Sequence, residues 1–275
     1  MKEQRGSISP ENPPKRRETR EYFDWAAETW WTLYEDPYIL GFSLRTRKER
    51  TLELFDQPGG KVLDVGCGPG RMIEDFLERG CQFWGTDVSA GMIEEARKHF
   101  GDRPDVHLAP GEAERLEYPD DFFDAVLALG VIEYTTEETA LREMARVLRP
   151  GGTLILSAPS RYSPYWLWRH YVFYPAVNLI RPLYFRIARK PPHPSLTHVQ
   201  RAYTEKDIAR LLDRSGCKVV DVVYFYFQLF PAPLELLLPR VSVWITSRLE
   251  GLYRSWLRRL GHGFIIKARK PTGAA

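Results

Sequence analysis

The chain has 275 residues, 44% of them hydrophobic, with 39 lysines and arginines against 36 acidic residues for a formal net charge of +3 at pH 7. That length allows one large domain, or a core domain with insertions, and so near-neutral a balance singles out no partner by itself. Three cysteines, Cys67, Cys81 and Cys217, lie far apart with no C-x-x-C pair, which excludes a disulfide framework and a zinc ribbon and fits a reducing, cytoplasmic setting.

Residues 1–17 are rich in proline and charge and hold no apolar run that could serve as a signal peptide, so they read as a disordered tail. Residues 18–56 read as two helices. Tyr22, Phe23, Trp25, Ala26, Trp30 and Leu33 give the first a broad aromatic face, and Asp36-Pro37 separates it from the second, which starts near Leu40. Such a face is either core or a cover over a site.

Residues 57–160 alternate strands and helices. Lys61 to Arg71, KVLDVGCGPGR, is a buried strand followed by Gly66, Gly68 and Gly70, whose missing side chains let the backbone turn sharply and pass close to a ligand. The spacing G-x-G-x-G places Arg71 where the dinucleotide fingerprint needs its third glycine, which argues against NAD or FAD. A helix follows and ends at Gly80. Gln82 to Thr86 is the second strand, and Asp87 at its end lies about 20 residues beyond the first glycine, the separation at which an acid meets ribose hydroxyls. Alone, Asp87 reads equally as the N-cap of the helix near Ser89; behind the glycine loop, the ribose role is the consistent one. Val106–Ala109, Phe122–Gly130 and Thr153–Ala158 are the next strands, with Pro119, Asp121 and Asp124 as turn or edge residues. Leu129, Gly130 and Val131 end the fourth strand, where open α/β sheets bind ligands, and Glu133 and Tyr134 stand at the mouth. Thr136–Leu148 is an amphipathic helix closed by Arg-Pro-Gly-Gly.

Lys-Val-Leu-Asp-Val-Gly-Cys-Gly-Pro-Gly, with the acid at Asp87 and Leu-Arg-Pro-Gly-Gly before the fifth strand, resembles the class I S-adenosylmethionine-dependent methyltransferases of the small-molecule, ubiquinone-biosynthesis type. The resemblance implies a Rossmann-like α/β fold: a seven-stranded sheet, antiparallel only at its last strand, with N-terminal and inserted helical caps. It implies S-adenosylmethionine as cofactor, held at Asp64, Gly66, Gly68, Gly70, Asp87, Val88, Leu129 and Gly130, with Glu112 and Ala113 at the adenine where the family more often has Asp first. It further suggests that Tyr22 or Arg45 of the N-terminal helices reaches the cofactor carboxylate.

Residues 161–202 form an insertion without Asp or Glu, in which Arg161, Arg169, Arg181, Arg186, Arg189, Lys190 and Arg201 alternate with aromatic residues. It cannot supply the roughly 20 apolar residues of a spanning helix but suits a bilayer interface or a lid; a buried subdomain is the alternative, and nucleic-acid binding is disfavoured because no RNA module is recognisable. Residues 203–275 complete the sheet. They hold a Tyr203-Thr204 helix start, strands at Lys218–Phe227 and Phe264–Ala268, and a second basic amphipathic insertion at about 228–260, which lies on a membrane, on the first insertion or on another subunit.

The expected chemistry is methylation of a small lipophilic acceptor. In-line methyl transfer mainly requires alignment and, for a hydroxyl, a base. His198 and His193, which follow the lid, are the candidate bases, with Glu133 as rival and His262 more remote; the alternative, and the favoured one, for His193 and His198 is a surface or loop histidine that only hydrogen-bonds. No metal-ligand spacing is present, and no metal is expected.

Overall fold

The computed structural model describes residues 16–101, 103–177, 179, 201–228 and 234–272. Its framework is a seven-stranded sheet in the order β3-β2-β1-β4-β5-β7-β6. In chain order the strands are β1 (Lys61–Val65), β2 (Gln82–Asp87), β3 (Val106–Pro110), β4 (Phe123–Leu129), β5 (Leu148–Pro159), β6 (Lys218–Phe225) and β7 (Gly263–Arg269). The first five run parallel, and β7 is antiparallel to both of its neighbours, as expected from the sequence.

Alternation along the strands produces two cores. Leu63, Val126, Leu154 and Ile266 point to one face and Val62, Leu127, Ile155 and Ile265 to the other, all without solvent exposure. Helices α1 (Arg16–Leu33), α2 (Ile39–Leu54), α3 (Ile73–Leu77), α4 (Ala90–Phe100) and α5 (Glu137–Val147) cover the sheet and its ends. α1 begins at Arg16, so the boundary drawn at residue 17 falls within its first turn. Further along are α6 (Pro164–Trp168), which runs into a wider turn at Arg169–Phe173, α7 (Glu205–Arg214), the short α8 (Leu234–Leu237) and α9 (Pro239–Leu249). The Tyr203-Thr204 start is a capping box: Thr204 Oγ1 accepts from Asp207 N at 3.2 Å, and Asp207 Oδ2 accepts from Thr204 N at 3.1 Å.

β5 begins at Leu148 rather than Thr153, because Leu148 pairs with Phe123 and a register irregularity between Phe123 and Ala125 absorbs the Pro-Gly-Gly segment into the strand. Asp124 is an edge residue, accepting from Lys61 N at 2.7 Å and Arg149 Nε at 2.5 Å, so it ties β1 to β4.

Leu127 sits in the middle of the sheet with no exposure. Leu127→Ala should therefore destabilise the protein by about 2–5 kcal/mol, measured as a lower denaturant midpoint at unchanged slope.

Candidate functional site

The carboxyl ends of β1, β2 and β4 meet above one cavity of about 230 Å³. The loop after β1 forms its floor, and the backbone nitrogens of Gly66 and Cys67 both donate to Thr86 O of β2, at 2.7 and 3.1 Å. Gly66, Gly68 and Gly70 have φ of +72°, +54° and +85°, where an L side chain is strained. Their surroundings differ. A Cβ on Gly66 would lie 2.2 Å from Val131 Cγ2 and one on Gly70 2.7 Å from Ile73 Cδ1, whereas one on Gly68 would meet nothing within 4 Å. Two of the glycines are thus dictated by packing, and the middle one opens onto the cavity.

Asp87 ends β2 with its carboxylate already oriented: Oδ1 accepts from Ser89 N and Oδ2 from Gly68 N, each at 2.9 Å. A carboxylate has about four acceptor positions, so two remain for a ligand with paired hydroxyls. Burial pushes its pKa up to about 6, opposed by the Ser89 and Gly68 N–H groups and reinforced by the nearby Asp24. Ser89 caps α4, its Oγ accepting from Met92 N at 3.1 Å, so the cap of that helix is Ser89 rather than Asp87.

Two more acids close the cavity. Asp64 of β1 is 2% exposed and Glu133, after β4, 4% exposed. Asp64 Oδ1 and Glu133 Oε2 are buried without a hydrogen-bond partner among the described residues. Burial pushes each pKa up to about 7, and in each case Arg47 pulls the other way. Arg47 lines the cavity from α2, its Nη1 lying 2.6 Å from where a Cβ on Gly130 would stand, which is why that position, at φ +75°, is glycine. Unpartnered buried acceptors are costly, so this donor-poor pocket suits a ligand bringing hydroxyl or ammonium groups together with a carboxylate for Arg47.

Of the residues expected at the site from sequence, Asp64, Gly66, Gly68, Asp87, Val88, Glu112, Ala113, Leu129, Gly130 and Glu133 all line this cavity. Gly70 lies one residue behind, against Ile73. Tyr22 and Arg45 are not among the lining residues. Arg45 Nη1 instead donates to Tyr34 O and Asp36 O, at 2.6 and 2.7 Å, clamping the turn between α1 and α2. Tyr22 packs edge-on against Phe23, and it is Phe23 that faces inward. His193 and His198 lie outside the described residues. His262 is distant, walled by Tyr165 and Tyr226 with Ser163 Oγ at 3.4 Å from Nδ1, and burial drives its pKa down to about 3, so it stays neutral. The α3 N-terminus offers little field, since that helix has only 5 residues.

Arg47, Thr19 and Tyr34 were not anticipated as lining residues, whereas Phe23 and Trp30 belong to the aromatic face read as core or cover. Thr19 and Phe23 are four apart on one face of α1 and Trp30 lies three turns along the same face, with Tyr34 in the turn just after the helix, a signal open to either core or cover. Arg47 sits in the basic run Arg45-Thr-Arg-Lys-Glu-Arg50, where spacing alone does not say which arginine turns inward.

The geometry defines a class: an open α/β sheet with a glycine loop and a terminal acid at the carboxyl ends of its central strands. Residues 63–156 match the family model described as a methyltransferase domain. A demethylmenaquinone methyltransferase from Beutenbergia cavernae is 34% identical over 126 residues, 46% of this chain and 51% of that protein. The ubiquinone/menaquinone biosynthesis C-methyltransferase UbiE of Bordetella avium is 38% identical over 110 residues, 38% of this chain and 43% of that protein. The chain thus spans about half the length of the curated relatives it matches. Among solved structures, the [4+2]-cyclase SpnF aligns with a TM-score of 0.61 at 18% identity over 96% of this chain and 98% of that one. A possible histamine N-methyltransferase from Thermotoga maritima gives 0.56 at 20% identity over 93% and 97%. These likenesses establish the fold, and residues 63–156 match a methyltransferase domain, for which S-adenosylmethionine is the implied cofactor.

Calorimetry with S-adenosylhomocysteine tests the cavity. Gly68→Val should abolish binding by filling the open cradle, and Asp87→Ala should lose about 1.5–3 kcal/mol of charge-assisted hydrogen bonding; unchanged affinity in both would place the ligand elsewhere.

Proposed function

We propose that this chain methylates a small lipophilic acceptor with an ionisable hydroxyl, of the quinol or phenol type, at a membrane surface. The observation that carries the reading is Glu133, whose buried, unpartnered carboxyl oxygen stands beside the glycine loop in a cavity walled by Phe23, Trp30, Tyr34 and Tyr134. In this reading Asp87 accepts from the ribose hydroxyls, and Glu112 and Ala113 border the adenine. Arg47 pairs with the cofactor carboxylate, and Asp64 accepts from its ammonium. When bound, the cofactor supplies a methyl group on a sulfonium. The aromatic walls orient a planar acceptor and exclude water, and Glu133 takes the acceptor's proton. Removing a proton from a quinol hydroxyl also makes the adjacent ring carbon nucleophilic, which accords with the C-methyltransferase name of one relative. His198 and His193 remain candidates only from their place in the sequence.

The membrane part of the reading rests on exposed apolar residues set among arginines. Leu237, Leu238, Val241 and Trp244 around α8 and α9 are 71%, 50%, 44% and 59% exposed, with Arg240 between them, Arg248 one turn beyond Trp244 and no acid within α9. Trp168, Tyr171 and Val172 do the same in the first insertion. Among the described residues no helix is long and apolar enough to cross a membrane, so attachment would be peripheral, on the cytoplasmic face. The aromatic cavity also suits a soluble natural-product methyltransferase. A cofactor-binding protein without methyl transfer is a further alternative, because a structure named as a cyclase shares the fold.

Three measurements separate these readings. With methyl-labelled S-adenosylmethionine and a prenylated naphthoquinol, Glu133→Gln should lower kcat by about 10²- to 10⁴-fold while cofactor affinity holds. Wild-type kcat should rise with pH through about 7, because the base works only when ionised and burial has raised its pKa to that value. An unaltered rate in Glu133→Gln would return the role to the histidines. The protein should float with anionic vesicles and be released by salt, each arginine near the surface contributing about 1 kcal/mol; sedimentation with anionic and neutral vesicles alike would favour the soluble reading.

A further inference from the structure

The N-terminal helix is bonded into the turn that carries Asp87. Asp24 Oδ1 accepts from Ser89 Oγ at 2.6 Å and from Gly91 N at 3.1 Å. Ser89, fully buried, also donates its backbone N–H to Asp87 Oδ1, and Asp87 Oδ2 holds Gly68 N. One hydrogen-bonded chain therefore runs from α1 through the start of α4 to the acid and the glycine loop. The helices meet closely here: a Cβ on Gly91 would lie 3.2 Å from Asp24 O.

Other contacts of the same helix reach the remaining loops around the cavity. Phe23 meets Tyr134 edge-on at 5.7 Å, Arg20 lies 3.5 Å from Glu112, and Trp31 stacks on His99 of α4 at 3.4 Å. Thr19, Phe23 and Trp30 line the underside. The helix thus roofs the cavity and touches the segments after β2, β3 and β4 together.

We infer that Asp24 is a positioning residue: by joining the roof helix to the Asp87 turn, it sets how long the cofactor stays bound, without touching it. This rests on the assignment of Asp87 to the cofactor. Arg20–Glu112 is an exposed ion pair and Phe23–Tyr134 and Trp31–His99 are ring contacts, whereas Asp24 accepts two hydrogen bonds at a helix N-terminus and acts as a second cap of α4 beside Ser89. Its charge has a further effect, because the groups facing Asp87 are Asp24 from α1, Asp64 and the Cys67 thiol from β1 and its loop, and the N–H groups of Gly68, Val88 and Ser89. Asp24 therefore opposes ionisation of Asp87 while holding its turn in place.

The test measures S-adenosylhomocysteine affinity by calorimetry and its dissociation rate by stopped-flow tryptophan fluorescence, across pH 5–8, for wild type, Asp24→Ala, Asp24→Asn and Asp87→Ala. Asp24→Ala should speed dissociation about five- to tenfold, the range expected for losing a cap with one or two hydrogen bonds. Asp24→Asn keeps an acceptor oxygen and should dissociate at nearly the wild-type rate, but its loss of affinity on acidification should move to lower pH, because Asp87 then titrates without the facing charge. A purely structural role for Asp24 would leave that pH limb unmoved. Wild-type dissociation in Asp24→Ala, or an unmoved acid limb in Asp24→Asn, overturns the inference provided Asp87→Ala binds weakly. Full affinity in Asp87→Ala overturns the assignment of the site itself, and the inference with it. If Asp24→Ala fails to fold, the acid limb of Asp24→Asn decides alone.

Discussion

The structure depends most on a desolvation imbalance at the ends of β1, β2 and β4. Three carboxyl groups, those of Asp64, Asp87 and Glu133, are buried around one cavity, and Arg47 is the cation that bears on two of them. Taking a carboxylate from water costs several kcal/mol unless donors replace the lost solvation. Asp87 has two such donors from the backbone, whereas Asp64 and Glu133 each keep an oxygen without one. Burial without compensation raises their pKa, and the site is completed by whatever donors a ligand brings. Around it the scaffold is rigid for ordinary reasons: close-packed alternating strands, and packing glycines where Val131 and Ile73 leave no room for a Cβ.

Much of this was legible in the sequence because its logic is local. A glycine run after a short apolar strand and an acid at the end of the next strand are signals within one βαβ unit, and they single out Gly66, Gly68 and Asp87, which line the cavity. Glu112, Ala113, Leu129 and Gly130 followed because the topology brings the carboxyl ends of neighbouring strands together. What failed was what depends on helix rotation. Arg45 and Arg47 are two residues apart, about 200° around a helix, so one clamps the preceding turn while the other enters the cavity. Tyr22 and Phe23 differ in the same way. No periodicity argument separates such neighbours when the helix is aromatic and basic on several sides.

The parts of the chain outside residues 63–156 are where its chemistry becomes individual. α1 and α2 provide Arg47 and the aromatic walls, and the segments after β5 and β6 carry the exposed tryptophans and leucines among arginines. The family match does not reach these segments, and the relatives are aligned over about half their length. The glycine loop and Asp87 thus lie within the matched segment, whereas Arg47, Phe23 and Trp30 reach the same cavity from outside it. The fold is shared with a protein named as a cyclase, so the decisive features are side chains rather than topology.

If the buried acids are completed by ligand donors, binding must change their protonation. Burial pushes the pKa of Asp64 up to about 7 and that of Asp87 up to about 6, and in the proposed reading an ammonium on Asp64 and ribose hydroxyls on Asp87 favour their charged forms. The most direct measurement is calorimetric binding of S-adenosylhomocysteine at pH 6.5 in buffers of different ionisation enthalpy, which counts the protons exchanged. The account predicts net proton release on binding. An observed heat independent of the buffer, or net proton uptake, would contradict it.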